Sequence, residues 1–133
     1  MAKMHFKYAA MNSGKSIDLI RTAHNYEENG YQVMVIKPII DIKGGENISS
    51  RIGLQRKADL LILYSDRLLD KLRGKLKNIS CILVDESQFL STSQVDELFI
   101  ISKACNIPVI CYGLRINFKM ESFAGSKRLL EIA

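Results

Sequence analysis

The chain has 133 residues, 47% hydrophobic and 25% charged, with a formal net charge of +5. That length suits one domain burying roughly two-thirds of its unfolded surface, and no run approaches the roughly 18–20 apolar residues of a membrane span. The N-terminus lacks a signal peptide's apolar stretch, so cytoplasmic residence is the default. Cys81, Cys105 and Cys111 form no CxxC pair, which argues against zinc coordination by these alone and against a disulfide scaffold. The positive charge suits an anionic partner without separating nucleotide from nucleic acid.

Met4 to Ala9 reads as a first strand, followed by a helix from Ser13 to Glu28 with Ile17, Ile20 and Ala23 near helical spacing and Gly30 as its stop. Tyr31 to Lys37 is a second strand, β-branched in part and ended by Pro38. Residues 41–57 are polar and Gly-containing, the longest loop-like stretch of the chain, and such a loop in a compact domain is usually functional or disordered. A short strand is expected over Ala58–Tyr64. A helix is expected over Asp66–Leu76, with Leu68, Leu69 and Leu72 on one side and Gly74 weakening its last turn. Ile79–Val84 reads as a strand, Ser93–Ala104 as a helix with Ser93 as its N-cap, Ile107–Tyr112 as a strand, and Ser126–Ala133 as a helix. Cys81 and Cys111 lie in apolar runs and behave as small buried hydrophobes. The basic run 71–77 reads as a solvated face. Alternating strands and helices imply crossover connections: an α/β fold with a mostly parallel sheet and helices on both faces.

Two segments carry chemistry. Ala9, Ala10, Met11, Asn12, Ser13, Gly14, Lys15 and Ser16 fit the spacing of a phosphate-binding loop with Ala in place of the first Gly. Backbone N–H groups of such a loop wrap an anion, and the following helix adds its positive end. Lys15 can reach the β- and γ-phosphates of a nucleoside triphosphate, and the Ser16 hydroxyl can ligate Mg²⁺. The second segment is Asp85-Glu86, which ends the apolar run CILV. Ligand sites of parallel sheets lie beyond the carboxyl ends of strands, so both segments would share one rim. Asp85 is then the partner of Mg²⁺, direct or through water, and Glu86 can accept or orient a hydroxyl proton during attack on the γ-phosphate. His5 reads as a strand residue and His24 as a surface residue, neither with a partner at metal-ligand spacing. On residue chemistry alone, Met11 either packs the loop or faces a ligand. Phe89, Phe118 and Phe123 either build a slot for a planar base or pack in the core.

The ordered segments YAAMNSGKS, HNYEENGYQV, KPIID, SSRIGL, VDESQFL, CYGLRINF and FAGSKRLLEIA resemble the type II thymidine kinases, the bacterial and cytosolic vertebrate class, over nearly the whole chain. The resemblance implies a P-loop NTPase core of RecA-like type. It also implies transfer of the γ-phosphate of ATP to the 5′-hydroxyl of thymidine or deoxyuridine. By matched position, Lys15 and Ser16 would serve the triphosphate and metal, Asp85 would serve Mg²⁺, and Glu86 would be the base. Met11, Phe89, Leu114, Phe118 and Phe123 would line the thymine and sugar pocket. Asp41 and Arg51 would lie near the phosphates, with Ser87 and Gln88 supporting the site. A homotetramer or dimer is also implied, with no membrane and no nucleic-acid partner.

Two positions depart from the family's usual pattern. Lys43 stands where Arg is common, keeping the charge but losing the bidentate fork, and Ile116-Asn117 replaces Thr-Asp. The family continues beyond the equivalent of Ala133 into a small domain with structural Zn²⁺ and a lasso loop over the base; the zinc ligands lie outside this sequence. For residues 1–133 alone, the expectation is an ATP-binding core with weak or absent thymidine kinase activity, since a lost lid impairs base recognition and water exclusion. Two other readings stay open at this point: a RecA- or helicase-type ATPase stimulated by nucleic acid, suggested by DESQ, and a non-catalytic nucleotide-binding remnant.

Overall fold

A computed structural model describes residues 2–9, 15–39, 47–49, 55–114 and 124–133. In chain order these form β1 (Met4–Ala9), α1 (Lys15–Glu28), β2 (Gln32–Pro38), β3 (Asn47–Ser49), β4 (Gln55–Lys57), β5 (Leu60–Ile62), α2 (Leu68–Lys71), β6 (Ile79–Val84), a 3-10 turn (Ser87–Phe89), α3 (Thr92–Ala104), β7 (Val109–Leu114) and α4 (Ala124–Ile132). Five strands make one sheet in the order β1-β7-β6-β2-β5, every pairing parallel. The α/β class and the mostly parallel sheet are as the sequence implies.

Strand alternation sorts the core into two layers. On one face Ile36, Ile82, Val84, Val109 and Cys111 pack against Leu68 and Leu72 of the α2 region, Val95, Leu98 and Ile101 of α3, and Leu129 of α4. On the other face Val33, Val35, Cys81, Leu83 and Tyr112 pack against Leu19 and Ala23 of α1. Helices therefore cover both faces, and the inner strands are apolar on both sides. Each fully buried aliphatic side chain contributes about 1.5–3 kcal/mol relative to exposure, so β6, with four successive fully buried residues from Cys81 to Val84, is the most heavily buried strand. The two buried thiols sit on opposite faces, and all three cysteines are free.

Several boundaries differ from the sequence expectation, each for a local reason. The 66–76 helix is only one turn, Leu68–Lys71. It turns off before Gly74, whose φ of +76° a right-handed helix does not accept. Leu68 and Leu72 point inward at i,i+4 spacing while Leu69 faces solvent. The N-cap of α3 is Ser91, not Ser93: Ser91 Oγ accepts from the Gln94 N–H at 3.1 Å and Gln94 Oε1 accepts from the Ser91 N–H at 3.0 Å. This is the reciprocal S-x-x-Q box, which fits Ser91 by spacing. Inside the 41–57 stretch, β3 and β4 form a small antiparallel pair. Three-residue strands are too short to carry an alternation signal. β7 is shifted two residues along from the expected Ile107–Tyr112: it starts at Val109, after Pro108, which has no N–H for the ladder, and it continues to Leu114 because β1 pairs with it that far.

Candidate active site

All strands of the main sheet point the same way, so their carboxyl ends form one rim. β1 ends there at Ala9, and Lys15 and Ser16 open the 14-residue α1. The strand–loop–helix setting that a phosphate loop requires is thus present, and the helix start supplies a positive dipole end toward the rim. Ala10, Met11, Asn12, Ser13 and Gly14 lie outside the described residues, as do Asp41, Arg51, Phe118 and Phe123. Leu114 is the last residue of β7, on the same rim.

The carboxylates arrive from β6. β7 lies between β1 and β6, so the loop strand and the carboxylate strand are two strand spacings apart, about 10 Å. Asp85 is buried, 4% exposed, and its N–H continues the ladder by donating to the Ile36 carbonyl at 2.9 Å. The chain then turns sharply. Glu86 takes a left-handed conformation, φ 51° and ψ 41°, which costs an L-residue about 1–2 kcal/mol. Such strain in a non-glycine residue persists only where the surroundings over-determine it, and it clusters at functional sites.

The surroundings are specific. Ser87 Oγ, fully buried, donates to the Tyr112 carbonyl at 2.9 Å and ties the turn to β7. The Phe89 N–H donates to the Glu86 carbonyl at 3.0 Å and the Leu90 N–H to the Ser87 carbonyl at 3.1 Å, closing the 3-10 turn. Leu90 plugs the α3-side core. Gln88 is buried, and its Nε2 lies 3.4 Å from Glu86 Oε2, a long contact that orients the carboxylate. Glu86 and Phe89 are half-buried. The structure therefore brings together Asp85, Glu86, Ser87, Gln88 and Phe89 at the rim that the start of α1 also reaches.

Groups beneath the rim are not acid–base candidates at neutral pH. Burial pushes the Cys111 thiol up to about 12 and the Cys81 thiol up to about 11. Burial likewise raises the Tyr112 phenol, whose Oη lies 3.3 Å from Thr22 Oγ1. Two residues at the rim were not singled out as site residues by sequence reasoning. Lys37 follows Ile36, which pairs with Val84, so register places it beside Asp85, and alternation with Val33 and Val35 assigns it to the α1 face. Gly113 lies under the 87–89 turn, within 3.1 Å of its atoms for any added Cβ. Both lie in segments that carry the family resemblance, KPIID and CYGLRINF, but their places beside Asp85 and under the 87–89 turn come from pairing register.

The donor set suits Mg²⁺. Among the described residues no cluster of three His, Cys, Asp or Glu side chains forms. Mg²⁺ needs no such cage, since it binds through one or two carboxylates plus phosphates and water. A buried carboxylate at the end of β6, in a chain whose α1 opens on Lys15-Ser16, matches that habit. Also among the described residues, no helix is long and apolar enough to cross a membrane.

Relatives agree with this geometry. A family model described as thymidine kinase matches residues 2–133. The chain is 43% identical to a thymidine kinase of Coxiella burnetii, with 98% of this chain and 68% of that protein aligned. It is 45% identical to the thymidine kinase of Enterobacteria phage T4, over 100% and 70% of the two chains. The thymidine kinase of Escherichia coli O157:H7 is 44% identical over 98% and 64%. The chain thus spans roughly two-thirds of the length of these relatives. With the family model covering nearly every residue and the phosphate-loop setting and carboxylate turn in place, this chain belongs to the thymidine kinase family of phosphotransferases.

Proposed function

We propose that the chain transfers the γ-phosphate of ATP to the 5′-hydroxyl of thymidine or deoxyuridine. The observation that carries the site assignment is the buried Asp85 followed directly by Glu86 in a strained left-handed turn, on the rim where α1 begins. In this reading the phosphate loop and Lys15 cradle the triphosphate, with the α1 dipole favouring the negative charge. Ser16 and Asp85 would hold Mg²⁺, which supplies charge neutralisation at the β- and γ-phosphates. Glu86 accepts the proton of the 5′-hydroxyl as that oxygen approaches the γ-phosphorus. Its left-handed backbone breaks the line of β6 directly after Asp85. Met11, Phe89, Leu114, Phe118 and Phe123 would wall the base and sugar, and Asp41 and Arg51 would lie near the phosphates. Family membership with nucleoside kinases disfavours a nucleic-acid motor. Homotetrameric assembly, a cytoplasmic location and a structural Zn²⁺ bound beyond residue 133 belong to the same proposal.

Residues 1–133 alone are expected to turn over weakly, so the test is ADP formation with the chain extended through the family's zinc and lasso region, comparing thymidine with 5′-deoxythymidine, which lacks the acceptor oxygen. Turnover with the first and none with the second is expected. Glu86→Gln should lose about 10²–10⁴ in kcat, the usual contribution of a general base, with ATP still bound. Asp85→Asn should raise the Mg²⁺ concentration needed for half-maximal rate. Equal ADP formation with both nucleosides would overturn the proposal.

A further inference from the structure

We propose that Gly113 is a positioning residue for Glu86, acting through Ser87 and Gln88 by the side chain it lacks; this rests on the reading of Glu86 as the base. A Cβ on Gly113 would meet Ser87 Oγ at 2.6 Å, Gln88 Oε1 at 2.8 Å and the Gln88 backbone N at 3.1 Å. Gly30 and Gly74 are different. Their φ angles are +84° and +76°, and nothing lies within 4 Å of an added Cβ. Those two need glycine for backbone conformation; Gly113 needs it for space.

All three atoms that would clash belong to the two residues following Glu86, and both are buried to within 1%. Ser87 Oγ is held against Tyr112, the residue preceding Gly113, by its 2.9 Å hydrogen bond. Retreat of Ser87 breaks that bond. Gln88 places its Oε1 over Gly113 and its Nε2 toward Glu86, so retreat of Gln88 removes a support of the carboxylate. A methyl group at 113 therefore displaces the Ser87 and Gln88 side chains from their present partners and presses on the backbone of the 87–89 turn at Gln88 N. The adjoining Glu86 is the residue least able to absorb the movement unchanged, since its left-handed φ of 51° is imposed by its neighbours. Displacement of about 1 Å at a reacting group costs on the order of 10²-fold in rate.

The experiment compares wild type, Gly113→Ala, Ser87→Ala and the double variant Ser87→Ala/Gly113→Ala, each quantified as folded protein. Gly113→Ala is expected to lower kcat about 10- to 100-fold while the KM for ATP stays within about twofold; the KM for thymidine is not held fixed, because Phe89 belongs to the same turn. Ser87→Ala removes the 2.6 Å contact and also the bond to Tyr112, so it should lower kcat by itself, and adding Gly113→Ala to it should cost less than Gly113→Ala costs in wild type. A merely structural glycine would lower the folded fraction without changing kcat per folded site, and would overturn the proposal, as would fully additive losses in the double variant. Crystal structures of wild type and Gly113→Ala give an activity-independent reading: Glu86 leaving its left-handed conformation or shifting its carboxylate supports the proposal, and an unmoved Glu86 refutes it. The kinetic comparison is made in the extended chain; loss of thymidine-dependent turnover in that wild type would instead count against the nucleoside kinase reading, leaving the crystallographic comparison to decide this one.

Discussion

Glu86 is a site where catalysis and stability should pull apart, and the pair Glu86→Gly and Glu86→Ala separates them. Both variants delete the same carboxylate and its long contact to Gln88. They differ only in whether the residue tolerates φ 51°. An L-residue there costs about 1–2 kcal/mol, which glycine avoids, while glycine's freer unfolded chain returns about 0.4–1 kcal/mol. The net expectation is that Glu86→Gly is more stable than Glu86→Ala by about 0.5–1 kcal/mol. With a urea m-value near 1.5 kcal/mol/M, that is a midpoint higher by about 0.5 M. Both variants should lose thymidine-dependent turnover to the same extent, on the order of 10²–10⁴. Equilibrium urea unfolding and steady-state assays on the same preparations give both readings. A Gly variant no more stable than the Ala variant would refute stored strain at Glu86; equal strain relief with retained turnover would refute its role as base.

Other expectations follow from single contacts. Glu97, nearly buried, accepts from the Leu68 and Leu69 N–H groups at 3.1 and 3.0 Å. Glu97→Ala should cost about 2–4 kcal/mol by orphaning them, Glu97→Gln distinctly less, and urea midpoints that do not separate the two would refute the role. Ser91→Ala removes half of the α3 capping box and should cost about 1 kcal/mol, with Ser93→Ala within ~0.5 kcal/mol; equal losses would place the cap wrongly. The folded chain holds the Cys81 and Cys111 thiols at about 11 and about 12 against an ordinary 9.0. The unfolded chain therefore sheds these protons first as pH rises. Stability should be full below pH 9 and fall between 9 and 11–12 by about 1.4 kcal/mol per pH unit and thiol. Midpoints measured from pH 8 to 10.5 should flatten in Cys111→Ala; an unchanged slope would refute it.

Much of the fold was legible because it rests on local periodicity. The segments 4–9 and 79–84 read as strands, and their bounds match the structure; only 79–84 is an apolar run with the continuous burial of an inner strand. α1 and α3 followed from helical spacing with stop and cap residues, although the α3 cap was read as Ser93 where the structure has Ser91. The one-turn α2 was overcalled, because its Leu and basic residues look helical while Gly74 decides the ending by its backbone.

By itself the amino-acid sequence determined the chemistry on offer. A phosphate-loop spacing ending in Gly14-Lys15-Ser16, and Asp85-Glu86 at the end of an apolar run, follow from residue type and order alone. Only the tertiary structure decided which strand neighbours which. The order β1-β7-β6-β2-β5 is a matter of non-local pairing, which no window of residues encodes. That order puts β7 between the two motifs, Lys37 beside Asp85, and the bare backbone of Gly113 beneath the turn that carries Glu86. The left-handed Glu86 was likewise invisible in sequence, because nothing local favours it: the packing of Ser87 and Gln88 on β7 imposes it from outside.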